Sequence, residues 1–158
     1  MTILRALANW LWHTPPVQVK PGNFHLVLPT IYDDLIAKAC ALHHIRPTLL
    51  KALIWHESRF DPRAVGDGGR ALGLCQMHRE AATDVGAEWA TLNQPGPAIA
   101  AGAAYLANQL KRFGSDVKGL MAYNQGPSVA ERADPREAAY ALGMKYAGTV
   151  LEIEKEIG

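Results

Sequence analysis

Apolar residues recur at helical spacing between two prolines, in residues 47–62. Leu50, Leu53 and Ile54 stand three and four positions apart, and Glu57 takes the next position on the same helical face. Because proline is accepted in a first helical turn and disfavoured later, the first proline predicts the start of a helix and the second lies beyond its end. The pattern therefore predicts a helix whose apolar stripe ends in a carboxylate.

The same periodicity predicts five further helices, over residues 30–42, 80–85, 98–113, 116–123 and 136–157. Thr30 and Asp33 have the spacing of a capping box at the start of the first, which we expect to pack against the helix carrying Glu57. Glycine dominates residues 65–70 and predicts a loop across the face of the site, with room for a small β-ribbon. The sequence thus predicts an all-α or mostly α fold.

The beginning of the chain differs from the rest, so we expect an N-terminal segment, residues 1–29, and one domain, residues 30–158. Ile3, Leu4, Leu7 and Leu11 have helical spacing, and a proline-rich lead-in follows. The segment is either a short helix docked on its own domain or a hydrophobic handle for a partner protein or a membrane surface. We expect no secretory signal, because no small-residue cleavage site follows, and the segment is too short to span a bilayer.

Composition and charge limit the classes of function that this chain could have. The chain has 158 residues, 49% hydrophobic and 20% charged, which is typical of one globular domain. A formal net charge of +1 gives no electrostatic case for binding nucleic acid. Cys40 and Cys75 lack the spacing of a zinc site or a disulfide framework, so we expect two free thiols and no metal. If they were bridged, the protein would have to lie outside the reducing cytoplasm.

Glu57 is the candidate general acid. Partial burial at the end of an apolar stripe disfavours the ionised carboxylate and raises its pKa, so that the group holds a proton near neutral pH. The alternative is a solvated glutamate at the rim of the core. Spacing alone does not decide between these two interpretations.

Three segments favour Glu57 as a general acid, because they resemble the signatures of a known enzyme family. The runs ESRFDPRA at residues 57–64, ALGLCQ at residues 71–76 and AYNQGP at residues 122–127 occur in that order. They resemble the signatures ES-x-F-x-P-x-A, G-A-x-G-L-M-Q and A-Y-N-x-G-P of the soluble (SLT-type), goose-lysozyme-like lytic transglycosylases. The resemblance runs from about residue 37 to about residue 150. It implies a lysozyme-like helical domain with the glycine-rich loop beside the catalytic cleft.

The resemblance also implies a reaction. In that family one glutamate, here Glu57, protonates the glycosidic oxygen between N-acetylmuramic acid and N-acetylglucosamine. It then acts as the base while the muramyl 6-hydroxyl attacks its own C1, which leaves a 1,6-anhydromuramyl end. The resemblance implies peptidoglycan strands as the substrate and needs neither a cofactor nor a metal.

The site residues carry over position by position. Ser58 follows the acid and is expected to shape the turn, Gln76 is implied to be a sugar-contacting amide, and Tyr123 and Asn124 are implied to line the cleft. The implied substrate-binding residues are Ser58, Gln76, Tyr123, Asn124 and Tyr146. Tyr146 matches the late tyrosine whose hydroxyl lies close to the catalytic glutamate. The chain also departs from the family pattern, because Gly66 stands where a serine is common, Arg70 replaces a glycine and Cys75 replaces a methionine. The missing serine is expected to weaken the orientation of the substrate.

Three other functions share some of these sequence features. A zinc peptidase fails, because His56 and Glu57 begin an H-E-x-x-H pattern but Phe60 stands where the second histidine is required. A glycan-binding structural module with little or no activity is favoured by Gly66 and disfavoured by the retained Glu57. Lysozyme-type hydrolysis would cut the same bond with water as the acceptor.

We expect the protein to act at the cell wall, in the periplasm. Because no export signal is evident, a virion or a secretion machine is the expected vehicle, and residues 1–29 are the expected contact to it.

Overall fold

The computed structural model describes residues 26–158, and the expectations for residues 1–25 lie outside this part. Within it the chain forms seven α-helices and one short β-hairpin, so the prediction of a mostly α fold is confirmed. The helices are α1 (Asp33–His43), α2 (Pro47–Ser58), α3 (Arg79–Asp84), α4 (Pro95–Phe113), α5 (Asp116–Gln125), α6 (Pro127–Arg132) and α7 (Ala138–Ile157). The hairpin strands are β1 (Val65–Gly66) and β2 (Ala71–Leu72).

The glycine-rich segment forms the hairpin, which connects the end of α2 to α3. Strands β1 and β2 are antiparallel and are joined by a tight turn over Asp67–Gly69. Gly68 and Gly69 have φ angles of 63° and 95°, which favour glycine because other residues clash there. The composition of this segment therefore follows from the turn that it makes.

Helix α4 forms the centre of the core and packs against α1 and α5. Its small residues allow close contact: a Cβ atom at Gly102 would lie 2.4 Å from the Cys75 sulfur. Helix α2 contacts α1, as expected, and packs more extensively against α7, which also packs against α5. The helix carrying Glu57 is thus held mainly by the last helix of the chain.

One expectation about local structure was wrong, and one short helix was not predicted. The capping box at Thr30 does not form: α1 has no side-chain cap, and the carboxylate of Asp33 instead accepts a hydrogen bond from Lys51 Nζ at 2.6 Å. Helix α6 was not among the predicted helices; it begins at Pro127, and proline is well tolerated at a first helical position.

The packed domain begins slightly before residue 30. Leu28 is 6% exposed and belongs to the core, and Leu26 packs against that core. Both lie within the segment that was expected to be a lead-in. No helix within residues 26–158 is long and apolar enough to cross a membrane.

Candidate active site

Helix α2 ends at Ser58, one residue after Glu57, and a sharp turn follows. Arg59 and Phe60 have positive φ angles of 54° and 66°, which stop the helix. Phe60 is buried and its ring stacks on Tyr32 at a centroid distance of 6.3 Å, so burial of the ring offsets the backbone strain. The turn leaves Glu57 half-buried at the end of the helix.

Ser58 supports this turn from inside. Its hydroxyl is buried and donates to the carbonyl oxygen of Leu74 at 2.9 Å, with the carbonyl of Ile54 at 3.2 Å. Because Leu74 lies just beyond the hairpin, the bond ties the end of α2 to that segment. Within the described residues the Ser58 hydroxyl is therefore used inside the protein, at the turn that it was expected to shape.

Glu57 receives a short hydrogen bond from α7. The hydroxyl of Tyr146 donates to Glu57 Oε1 at 2.5 Å, and the tyrosine ring is buried. Burial raises the pKa of the Glu57 carboxyl from 4.5 to about 7; the bond from Tyr146 lowers this pKa, and the charge of Asp67 raises it. Burial therefore outweighs the hydrogen bond, and Glu57 holds a proton over much of the range below neutral pH.

The neighbouring His56 packs against the same tyrosine. The two rings meet edge to face with centroids 4.8 Å apart. Burial, and then the charge of Arg59, lower the pKa of His56 to about 4, so the imidazole is neutral at neutral pH. Its Nδ1 atom is buried without a hydrogen-bond partner in the described part of the chain. His56 therefore packs against Tyr146 as a neutral ring.

The hairpin brings a second carboxylate towards the site. Asp67 lies in the turn and pairs with His78, Oδ2 to Nε2, at 2.7 Å. Its charge is close enough to raise the pKa of Glu57. The pair closes the hairpin against the start of α3. No spacing in the sequence links Asp67 to Glu57; only the path of the hairpin shows that its charge acts on the acid.

Gln76 is held rigidly beside the hairpin. Its Nε2 donates to the carbonyl oxygens of Ala64 at 3.0 Å and Gly73 at 2.9 Å. Its backbone has a positive φ of 44°, a conformation that is uncommon for a residue other than glycine. The structure thus places this amide at the base of the hairpin with its donors already used.

Tyr123 approaches the site from α5. Its hydroxyl donates to the carbonyl oxygen of Cys75 at 2.8 Å, and burial, then the charges of Cys75 and Glu57, raise its pKa well above the usual value. Asn124 lies on the exposed side, where its Oδ1 accepts from Gln125 Nε2 at 2.5 Å. Within residues 26–158 the side chain of Asn124 makes no hydrogen bond to Glu57 or Tyr146.

These contacts join a protonated acid, a neutral phenol and several carbonyl groups in a half-buried site. Such a site can deliver a proton to a leaving oxygen and take one back. In the described residues no group of three or more His, Cys, Asp or Glu side chains could hold a metal ion.

Comparisons with known proteins show the family of this chain. The family model described as "Transglycosylase SLT domain" matches residues 34–142, more than half of the chain. The peptidoglycan transglycosylase gp16 of Escherichia phage T7 is 34% identical over 123 residues, which are 73% of this chain and 9% of that protein. The X polypeptide of Escherichia coli strain K12 is 35% identical over 73% of this chain and 72% of its own length. The invasion protein IagB of Salmonella typhimurium is 31% identical over 71% of this chain and 74% of its own.

Two solved structures share the fold. The soluble lytic transglycosylase SLT70 of Escherichia coli superposes with a TM-score of 0.73 at 22% identity, over 82% of this chain and 24% of that one. An inactive mutant of the lytic transglycosylase Slt of Pseudomonas aeruginosa gives a TM-score of 0.68 at 22% identity, over 80% of this chain and 24% of that one. This chain therefore spans about a quarter of each of those two proteins and a tenth of the phage protein. The fold is the expected lysozyme-like helical domain, and the chain belongs to the SLT-domain transglycosylases.

Proposed function

We propose that this chain is a peptidoglycan lytic transglycosylase that uses Glu57 as its single general acid and base. The observation that carries the proposal is the half-buried carboxyl with a pKa of about 7, hydrogen-bonded by Tyr146. A carboxyl with such a pKa is protonated often enough to act as an acid near neutral pH, and its conjugate base is strong enough to recover the proton.

The reaction proceeds in two proton transfers. Glu57 donates its proton to the glycosidic oxygen as the bond from that oxygen to C1 of the muramyl residue breaks. The 2-acetamido group of the same sugar stabilises the electron-poor C1. The Glu57 carboxylate then takes the proton of the muramyl 6-hydroxyl as O6 bonds to C1. The product is a 1,6-anhydromuramyl end, the acid regains its proton and no water is consumed.

In this scheme Tyr146 acts on Glu57 through its hydrogen bond. Burial raises the pKa of the Tyr146 hydroxyl well above its usual value, so the phenol remains a hydrogen-bond donor through the cycle. Its bond stabilises the carboxylate that forms after the first transfer. Tyr123 holds the segment around Cys75 against the site, and Gln76 and Asn124 are proposed to contact the sugars.

Hydrolysis of the same bond is the second candidate. One observation favours it: Asp67 is close enough to raise the pKa of Glu57, and hydrolases of glycosides commonly use two carboxylates. The pairing of Asp67 with His78 argues against it, because one of the two carboxylate oxygens is already in contact with the His78 ring and only the other is left to position a water molecule.

The products separate the two reactions. Purified peptidoglycan is incubated with the parent protein and with Glu57→Gln, and the released muropeptides are resolved by mass spectrometry. We expect anhydromuropeptides from the parent and none from the variant. The matched control is Glu80→Gln, an exposed glutamate on α3, which should leave release unchanged. Reducing muramic ends would contradict the transglycosylase and support hydrolysis. Binding of sacculi without release by either protein would support a glycan-binding module.

The place of action is part of the proposal. We propose that the protein reaches the cell wall with a virion or a secretion machine and that residues 1–29 make the contact. The named relatives include a phage peptidoglycan transglycosylase and an invasion protein, which supports such a route. Cell fractionation tests it: a processed N-terminus in the periplasm would contradict this route.

A further inference from the structure

The arginines of this chain fall into two groups that differ in what surrounds their charge. The described residues contain eight arginines, and four of these lie in residues 59–79, which run from the turn after α2 through the hairpin to the start of α3. The four outside this segment each pair with a carboxylate: Arg46, Arg112, Arg132 and Arg136. Within residues 26–158 the four inside it pair with none, although all are exposed: Arg59, Arg63, Arg70 and Arg79. The guanidinium groups without a carboxylate partner are therefore collected in one stretch of the chain.

Two of these guanidinium groups are held on tryptophan rings. The guanidinium carbon of Arg59 lies 4.7 Å from the centre of the Trp55 ring, and Arg59 also donates to the backbone carbonyl oxygen of Trp55. The guanidinium carbon of Arg79 lies 4.6 Å from the centre of the Trp89 ring. A neutral ring orients a guanidinium group without cancelling its charge.

Arg70 is oriented by the turn of the hairpin. Its Nε atom donates to the backbone carbonyl oxygen of Asp67 at 3.1 Å, whereas the carboxylate of Asp67 contacts His78. Among the described residues the side chain of Arg70 makes no other hydrogen bond, so both terminal nitrogens of the guanidinium are free. Two such nitrogens can donate in parallel to the two oxygens of a carboxylate.

A positive charge that is oriented but not neutralised indicates a site for an anion. Fixing a long arginine side chain costs conformational entropy, and an exposed arginine with no ligand to bind is ordinarily solvated. A group that is already oriented loses less freedom when a ligand binds, which raises affinity for that ligand. The segment 59–79 therefore presents donors suited to a negatively charged ligand.

This segment also surrounds the proposed acid. It begins two residues after Glu57, and the charge of Arg59 lowers the pKa of the neighbouring His56. The charge of Asp67, in the middle of the segment, raises the pKa of Glu57. Because Arg70 is bonded to the backbone of Asp67, its guanidinium belongs to the same turn. An anion bound there would be attached to the glycan close to the bond that Glu57 cuts.

We propose that the arginines of residues 59–79, and Arg70 above all, bind the carboxylates of the peptide stems that muramyl residues carry. The sugar rings of the glycan are uncharged, and the stem is attached to the same muramyl residue whose C1 takes part in the reaction. This inference rests on the proposed function and narrows its substrate to strands that still carry peptide. Arg70 stands where the family signature has a glycine, so this contact is a feature of this chain and not of the signature.

Two forms of one substrate test the proposal. Peptidoglycan is used as isolated and after its carboxylates have been converted to neutral methylamides with a carbodiimide and methylamine. The parent should cut the isolated form with the higher kcat/KM. Arg70→Met should lower kcat/KM about three- to tenfold on the isolated form, the effect of one solvent-screened charged hydrogen bond, and should change nothing on the neutral form.

Two further variants serve as controls. Arg70→Lys keeps the charge but not the two parallel donors, so its kcat/KM on the isolated form should lie between those of the parent and Arg70→Met. Arg136→Met removes a paired surface charge outside the segment and should leave both values unchanged. Thermal melting of the parent and the variants confirms that each is folded.

The outcomes distinguish this inference from the proposed function. If the parent cuts both forms equally well, the arginines do not bind stem carboxylates, while the proposed function stands. If Arg70→Met loses the same activity on both forms, Arg70 acts on the acid or on the hairpin, and the proposal is overturned in the same way. If the parent cuts neither form, the proposed function is wrong and this inference is lost with it.

Discussion

Helices α2 and α7 are antiparallel, and a carboxylate is hydrogen-bonded between them at each end of the pair. The end at Glu154 is called the outer end and is a structural contact. The end at Glu57 is called the inner end and holds the proposed acid. At the outer end Arg46 donates to both oxygens of Glu154, at 2.8 and 3.0 Å, and Thr48 adds a bond at 2.8 Å. At the inner end Tyr146 donates to Glu57 at 2.5 Å. The donor distances are similar, so distance does not explain the difference between a structural contact and a reactive one.

The difference lies in the charge of the donor and in its surroundings. The outer donor is a guanidinium group, 51% exposed, that carries a full positive charge opposite the carboxylate. Its pKa is raised by its bonds to Glu154 and Asp116, so the guanidinium group stays charged at any ordinary pH. The inner donor is a neutral phenol, and burial disfavours the Glu57 carboxylate. One end therefore holds the helices together, and the other end holds a proton.

Removal of the inner donor should have the largest effect. In Tyr146→Phe the ring remains but the bond that favours ionised Glu57 is lost. We expect kcat/KM to fall about 10–100-fold, since a hydrogen bond to a charged group contributes about 1.5–3 kcal/mol. The pKa of Glu57 should rise further. A general acid must be protonated, so activity declines as pH rises through this pKa, and the declining limb should move to higher pH.

The pH profile of kcat/KM between pH 4 and 9 measures this shift. Tyr140→Phe, on the same helix and with no hydrogen bond from its hydroxyl among the described residues, is the matched control. A declining limb that stays in place in Tyr146→Phe, or moves to lower pH, would show that the phenol does not act on the protonation of Glu57.

Glu57→Gln tests how much folding stability the protein loses by burying the Glu57 carboxylate. The pKa of Glu57 is raised to about 7 in the folded protein and is ordinary in the unfolded chain, so the parent loses stability as pH rises from about 4.5 to about 7. An amide resembles the protonated acid and avoids this loss. The variant should match the parent near pH 4 and be more stable near pH 8 by about 1–3 kcal/mol, or several degrees in Tm. Thermal unfolding at the two pH values measures the gain; an equal difference at both would contradict a buried titrating acid.

Much of this inner end follows from local sequence patterns. The apolar stripe predicts α2 and places Glu57 at its end, because helical spacing depends only on residues within a few turns. The same reasoning failed for Asp33, whose carboxylate bonds Lys51 in the next helix and does not cap its own. A local pattern cannot show that a more distant partner competes for the same group.

The contacts around the hairpin could not be predicted for a related reason. Asp67 meets His78, and Gln76 fills the space at Gly66, only because a tight turn folds the segment back on itself. In the sequence alone, Gly66 is a glycine at a position where the family commonly has a serine, and Gln76 is a polar residue among apolar ones. Their meaning depends on the path of the chain and not on spacing.

The smallest effect is expected from breaking the outer end. Arg46→Met keeps an unbranched side chain of similar reach and removes the charge. Because the guanidinium is half exposed, solvent screens the ion pair, and the bond from Thr48 to Glu154 remains. The free energy of unfolding should fall by no more than about 1 kcal/mol, and by less at high salt, where exposed charges are screened further.

The catalytic activity of Arg46→Met shows whether the outer end has only a structural role. If the outer end only holds the helices together, Arg46→Met should leave kcat/KM and its pH profile unchanged, since no proton in the proposed reaction passes through it. Arg136→Met, which breaks an ion pair with Asp134 outside the helices, is the control for removing a surface charge. If Arg46→Met instead shifts the declining limb as Tyr146→Phe does, the position of α7 at its outer end sets the bond to Glu57 at the inner one. The helix pair would then be one mechanical unit, and the separation of a structural end from a reactive end would be wrong.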